Sequence, residues 1–130
     1  MILDSSVVVA VMRQEPEASL FARAIEESQP CRISAVSYVE ASFIIDRSDD
    51  PIALRRLEDF FRLSRTSVES VTPRQAQIAR QAYRDFGKGR HKAGLNLGDC
   101  FAYALAKDLD EPLLFKGRSF GHTDIEPAEY

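Results

Sequence analysis

Four carboxylates stand out by the company they keep. Asp4 follows the short apolar run Met1–Leu3, and Glu40 interrupts the apolar positions Val36, Phe43 and Ile44. Asp99 immediately precedes the run Cys100–Ala106, and Asp124 sits in Gly121-His122-Thr123-Asp124. Each has an ordinary structural use. Asp4 ahead of Val7-Val8-Val9 makes a good helix N-cap, and Ser37-Tyr38-Val39-Glu40 reads as a capping box. Asp99, three residues after Asn96, favours the start of a helix dipole, while Asp124 suits a surface turn. Gathered together, the same groups would do something that no cap does. Two unit charges about 4 Å apart repel by roughly 4 kcal/mol at an effective dielectric near 20. Such a cluster is tolerable only with a divalent cation or shared protons. Oxygen donors without cysteine or histidine spacing favour magnesium or manganese over zinc.

The elements needed to gather them are legible as alternating apolar strands and helices. Met1–Leu3, Cys31–Ser34, Ser67–Val71 and Pro112–Phe115 read as short strands. Ala18, Phe21, Ala24 and Ile25 share a helical face between Pro16 and Pro30, and Ala35–Asp46 reads as a helix. Asp50-Pro51 opens another helix with Leu54, Leu57, Phe60 and Phe61. Thr72-Pro73-Arg74-Gln75 is a capping box whose helix is expected to bury Ala76, Ala79, Tyr83 and Phe86. Leu97–Leu109 is apolar nearly all round and therefore expected to be buried. This alternation predicts an α/β fold with a mostly parallel central sheet flanked by helices, spanning 1–130 as a single domain. In such sheets ligands bind beyond the carboxyl ends of the strands. Asp4 would lie at that edge, with Glu40 and Asp99 at the starts of helices covering the sheet.

Composition narrows the class. Hydrophobic residues at 45% and charged residues at 28% describe a globular chain, not a disordered one. No apolar run approaches the roughly 20 residues of a membrane helix, and Met1-Ile2-Leu3-Asp4 lacks the basic start of a secretory signal. Cys31 and Cys100 match no metal spacing and read as reduced core thiols of a cytoplasmic protein. The net charge of −3 is unusual for a chain that coats nucleic acid. Either nucleic acid is not the partner, or the acids serve a purpose that outweighs their repulsion of phosphate.

The ordered set Ile2-Leu3-Asp4-Ser5-Ser6, Ser37-Tyr38-Val39-Glu40, Gly94-Leu95-Asn96-Leu97-Gly98-Asp99-Cys100, Leu113-Leu114-Phe115-Lys116-Gly117 and His122-Thr123-Asp124 runs the whole length of the chain. It resembles the acidic motifs of PIN-domain ribonucleases, most closely the VapC-type toxins of type II toxin–antitoxin pairs. The resemblance implies a PIN-like three-layer fold and an endoribonuclease that depends on Mg2+, or Mn2+ in its place. It implies Asp4, Glu40 and Asp99 as the central metal-binding and catalytic acids, with Asp124 matching a more variable fourth. Ser6 and Thr123 would be hydroxyls that orient carboxylates. RNA is the implied substrate, with products bearing a free three-prime hydroxyl and a five-prime phosphate. A homodimer and a VapB-type antitoxin on the apolar helices are implied as partners. A metal that draws phosphate to an acidic site would also reconcile RNA with the negative net charge.

Lys88, Arg90, His91 and Lys92 crowd the loop between Gly87 and Gly98. They are either a solvated surface run or a grip on RNA phosphates. Lys116 and Arg118, flanking Gly117 on the expected ligand edge, are open to the same two readings. No Gly-x-Ser-x-Gly elbow is present, so His91 and His122 do not point to nucleophilic catalysis. A receiver-like regulatory domain would need paired acids early in the chain, which are missing. A catalytically silent PIN-fold module that binds RNA or protein is the other alternative, and the full acid set argues against it.

Overall fold

The computed structural model describes residues 1–130. In chain order it comprises β1 (Ile2–Leu3), α1 (Ser5–Met12), α2 (Ala18–Glu27), β2 (Arg32–Ser34), α3 (Ala35–Asp46) and α4 (Pro51–Ser64). There follow β3 (Ser67–Glu69), α5 (Pro73–Phe86), α6 (Leu97–Leu109), β4 (Leu113–Leu114) and a 3-10 turn at Phe120–His122. The four strands pair in parallel in the order β3-β2-β1-β4. All four expected strands exist, each trimmed by a residue or more at its ends.

Alternation along the strands divides the core, because successive side chains leave a strand on opposite faces. Ile2 and Leu113 point into a cluster with α5 and α6, built on Ala79, Ala102 and Leu105. Leu3, Ile33 and Leu114 point into a second cluster with α1, α2, α3 and α4, built on Val7, Phe21 and Ile45. Helices on both faces of a central sheet give the three layers expected. Cys31 and Cys100 are buried and free, in keeping with core thiols.

Local chemistry sets the helix starts. Asp50 accepts from Ile52 N with Pro51 opening α4, and Thr72 accepts from Gln75 N with Pro73 opening α5. Gln75 does not complete a capping box. Its side chain donates instead to Asp108 of α6. Of the expected face, Ala79 is buried and Phe86 packs half-buried against the core, whereas Ala76 and Tyr83 are exposed and Gln75 and Ala82 are buried in their place. Ala76 and Tyr83 line an apolar cleft with Leu97 and Phe101, between α5 and α6.

The start of α3 also differs from expectation. Its cap is Ser34, whose side chain accepts from Val36 N. Ser37 makes no capping bond, and its hydroxyl is buried without a partner. Glu40 therefore lies in the second turn, not at the start. The core face of α3 is Ser37, Ala41 and Ile45, while Phe43 is 64% exposed. Glu40 consequently lies off the core face, at the helix edge that faces α1 and α6. No helix is long and apolar enough to cross a membrane.

Candidate metal centre

β1 ends where Asp4 N donates to Leu114 O at 3.0 Å. Asp4 then caps α1. Its Oδ2 accepts from both Ser6 N, at 3.0 Å, and Ser6 Oγ, at 2.5 Å. The second oxygen, Oδ1, is buried and has no hydrogen-bond partner. A buried charged oxygen without a donor is costly. Accordingly the carboxyl is pushed up from an ordinary 3.8 to about 6, mainly by burial, with repulsion from Asp99 and Glu40 adding to it.

Glu40 reaches the same place from α3, where Ser5 Oγ donates to its Oε1. Asp99 arrives at the first turn of α6 through a complete capping box. Asn96 accepts from Asp99 N at 2.9 Å, and Asp99 Oδ2 accepts from Asn96 N at 3.0 Å. Burial raises the Asp99 carboxyl too, with Glu40 contributing repulsion. Gly98 explains how α3 and α6 come so close. A Cβ there would stand 2.6 Å from Glu40 Cδ, nearer than real Cβ atoms approach. The absence of a side chain at position 98 leaves the space that the Glu40 carboxylate fills.

The three acids line one cavity of about 380 Å³ with Ser5, Ser6, Glu15, Asn96, Lys116 and Ser119. It opens beyond the carboxyl ends of β1 and β4, as the parallel sheet requires. No three acidic, cysteine or histidine side chains stand near enough to enclose an ion. Glu40 is held by Ser5, and Asp99 by the backbone of Asn96. The donor set nonetheless suits a hard divalent ion: oxygens only, with Asp4 Oδ1 unpaired.

Other expected site residues stand elsewhere. Asp124 does not line this cavity. Tyr103 donates to its Oδ1 at 2.6 Å, and Lys107 Nζ lies 3.1 Å from its Oδ2. These partners hold the Asp124 carboxyl below its usual range. Asp99, Tyr103 and Lys107 share one stripe of α6 at four-residue spacing, so Asp124 is held against that helix one to two turns beyond Asp99. Thr123 orients no carboxylate. Its hydroxyl donates to Phe120 O and accepts from Ile125 N, closing the turn locally. Lys88, Arg90 and Lys92 are exposed on the loop that leads to Asn96, away from the cavity wall. Arg90 stacks over Tyr83 and His91 caps the loop at Ala93 N. Arg118 is exposed, whereas Lys116 lies in the cavity wall. Ser5, Gly98 and Ser119 were missed in the sequence. For Gly98 a signal existed, since a glycine within the first turn of a strongly predicted helix asks for a packing reason.

The model of the PIN domain matches residues 1–126. The chain belongs to the PIN-domain family. Within that family it is of the VapC type. Ribonuclease VapC28 of Mycobacterium tuberculosis is 46% identical over 129 residues, covering 98% of this chain and 97% of the relative. Two solved structures share the fold at low identity. One is VapC20 of Mycobacterium tuberculosis, described as a Sarcin-Ricin loop cleaving toxin, with a TM-score of 0.75 at 15% identity, covering 99% and 98% of the two chains. The other is VapBC2 of Rickettsia felis bound to a DNA fragment from its promoter, with a TM-score of 0.76 at 13% identity, covering 98% and 96%.

Proposed function

We propose that this PIN domain is a magnesium-dependent endoribonuclease toxin, hydrolysing RNA phosphodiester bonds and restrained by a VapB-type antitoxin. The observation that carries the metal reading is Asp4 Oδ1, buried and unpartnered in a cavity shared with Glu40 and Asp99. Asp4, Asp99 and Glu40 would hold the cation. Each would offer the oxygen left over from its structural bond: Oδ1 beside Ser6, Oδ1 beside Asn96, and Oε2 beside Ser5. Mg2+, or Mn2+ in its place, would supply water activation and charge neutralisation at the scissile phosphate. The chain's own part would be to aim these oxygens into the cavity, each carboxylate held by its other oxygen. Water attacking phosphorus with cleavage of the P–O3′ bond, the 3′ oxygen leaving with a proton, would give the products that the family resemblance implies, a free three-prime hydroxyl and a five-prime phosphate.

Asp124, engaged with Tyr103 and Lys107 outside the cavity, would be a fourth acid that reaches the ion only on leaving both partners. Lys88, Arg90, Lys92 and Arg118 are the proposed phosphate contacts. Unlike Lys116, none of the four enters an ion pair. Exposed Val39, Phe43 and Leu54 on α3 and α4 support an apolar antitoxin segment docked there, and the α5–α6 cleft supports a homodimer. A cytoplasmic location fits RNA as substrate, and residues 1–130 are read as one PIN unit.

The test is incubation of labelled RNA with purified protein in Mg2+, in Mn2+ and in excess chelator, beside Asp99→Asn. Cleavage with either ion and none in chelator or the variant is expected. Full cleavage in chelator would refute the metal reading.

A further inference from the structure

One residue fastens the chain leaving β4 to α1 at both of its ends. The backbone N–H of Lys116 donates to Ser6 Oγ at 3.0 Å. Its ammonium donates to Glu15 Oε2 at 2.6 Å, and Glu17 Oε2 stands 2.8 Å from the same nitrogen, an ion pair without good hydrogen-bond alignment. Glu15 and Glu17 flank Pro16 in the turn between α1 and α2. Gly117, at φ +105°, lets the backbone turn away directly after this attachment, a conformation that suits glycine.

Ser6 passes the attachment on. A hydroxyl has one proton to give. With the Lys116 amide filling an acceptor site on Ser6 Oγ, the Ser6 proton is left for Asp4 Oδ2. Ser6 N occupies the same Asp4 oxygen. Asp4 Oδ1 is thereby the oxygen left over, buried in the cavity wall.

We propose that Lys116 is a positioning residue and not a phosphate contact. Its clasp on Glu15 and Glu17 holds its own amide on Ser6, and through Ser6 selects the Asp4 oxygen offered to a cation. This rests on the reading of the cavity as a cation site. Two carboxylates already satisfy the ammonium, so RNA phosphate would have to compete with both.

Charge and position predict different outcomes for two variants. Lys116→Met removes a positive charge beside an acidic cavity, whereas the double variant Glu15→Gln/Glu17→Gln removes two negative ones. If only charge mattered, the first would tighten Mn2+ binding and the second would weaken it. If position matters, both weaken it, by about tenfold, the lower end for partners that orient metal ligands. The measurement is calorimetric titration with Mn2+ alone on wild type, both variants, and Lys116→Arg, whose guanidinium can span two carboxylates and should restore binding. RNA affinity in chelator at several salt concentrations is read alongside. Under the proposal both variants lose kcat while RNA affinity and its salt slope hold. Mn2+ affinity moving in opposite directions in the two variants would overturn it. So would Glu15→Gln/Glu17→Gln tightening RNA while Lys116→Met loosens it and flattens the salt slope, which would make Lys116 a phosphate contact. Glu15 and Glu17 lie in an inter-helix turn, so the double variant remains informative if Lys116→Met fails to fold. No Mn2+ binding by wild type would overturn the cation site itself, and this inference with it. Binding by wild type that both variants retain unchanged would overturn this inference alone.

Discussion

Gly98→Ala separates what the fold needs at the head of α6 from what the site needs. In an ordinary helical position alanine is more stabilising than glycine by about 0.5–1 kcal/mol. Position 98 is not ordinary, because the new Cβ would meet the Glu40 carboxylate at 2.6 Å from Cδ. The obstacle is the far end of a flexible side chain, so the helix can form and Glu40 swings away. Swinging breaks the Ser5–Glu40 bond, and a hydrogen bond to a charged group contributes about 1.5–3 kcal/mol. The variant should therefore lose about 1–2 kcal/mol of metal-free stability after the helix-propensity gain. In a Glu40→Ala background there is nothing to displace, and the same substitution should add about 0.5–1 kcal/mol. The cycle then gives a coupling of about 1.5–3 kcal/mol between positions 40 and 98, within the range seen for residues in contact. Urea unfolding of the four proteins in chelator measures it. Repeating the titration with Mg2+ measures how much each gains by mass action. Gly98→Ala should gain much less than wild type and should cleave RNA about a hundredfold more slowly, the cost of moving one group by about 1 Å. Equal effects of Gly98→Ala in both backgrounds would refute the packing argument.

Two further predictions concern charge. The Asp4 carboxyl, pushed up to about 6 in the metal-free fold from an ordinary 3.8, favours its neutral form when folded. Ionisation therefore weakens the fold, and about 3 kcal/mol of stability contributed by this group should be lost as pH rises from about 4 to about 6. Asp4→Asn retains a good cap and should lack that slope, being the more stable protein at pH 7 without metal while failing to cleave RNA; an identical pH profile for both proteins would rule this out. Wild type should conversely gain Mg2+ stabilisation as pH rises through 6, because the ion needs the ionised form. The triple change Lys88→Ala, Arg90→Ala, Lys92→Ala should weaken RNA binding and reduce its dependence on salt, with Mg2+ affinity unaltered. An unchanged salt slope, measured by fluorescence anisotropy of labelled RNA in chelator, would return that loop to a solvated surface.

Why some of this was legible in the sequence and some was not follows from the range of the forces involved. The strands, the bounds of α6 and the caps Asp4, Asp50, Thr72 and Asn96 are local matters, decided by residues within a turn of one another. The face of α5 was half legible: Ala79 and Phe86 pack as expected, but Gln75, bonded to Asp108 33 residues away, is buried where Ala76 was expected. The role of Ser37 was misjudged because Ser34, the last strand residue, is free to cap α3 before Ser37 can. Ser5, Ser119 and the Lys116 clasp depend on loops brought together only by the folded sheet.

Under the proposed function, cap and ligand need not be rival roles for one residue. A carboxylate has two oxygens, and the fold spends them separately. Asp4 gives Oδ2 to the start of α1 and keeps Oδ1 for the cavity. Asp99 gives Oδ2 to the capping box of α6, and Oδ1 makes no hydrogen bond. On the proposed reading, the structural bond would hold each side chain in place and leave its other oxygen for a cation. An acid that caps a helix at the ligand edge of a parallel sheet is thus oriented before any cation arrives. Helix N-termini also place backbone N–H groups beside Asp4 and Asp99, which favours their charged forms. Asp124 shows what happens without that division. Tyr103 and Lys107 occupy both of its oxygens, and the residue stands apart from the cavity that the other three share.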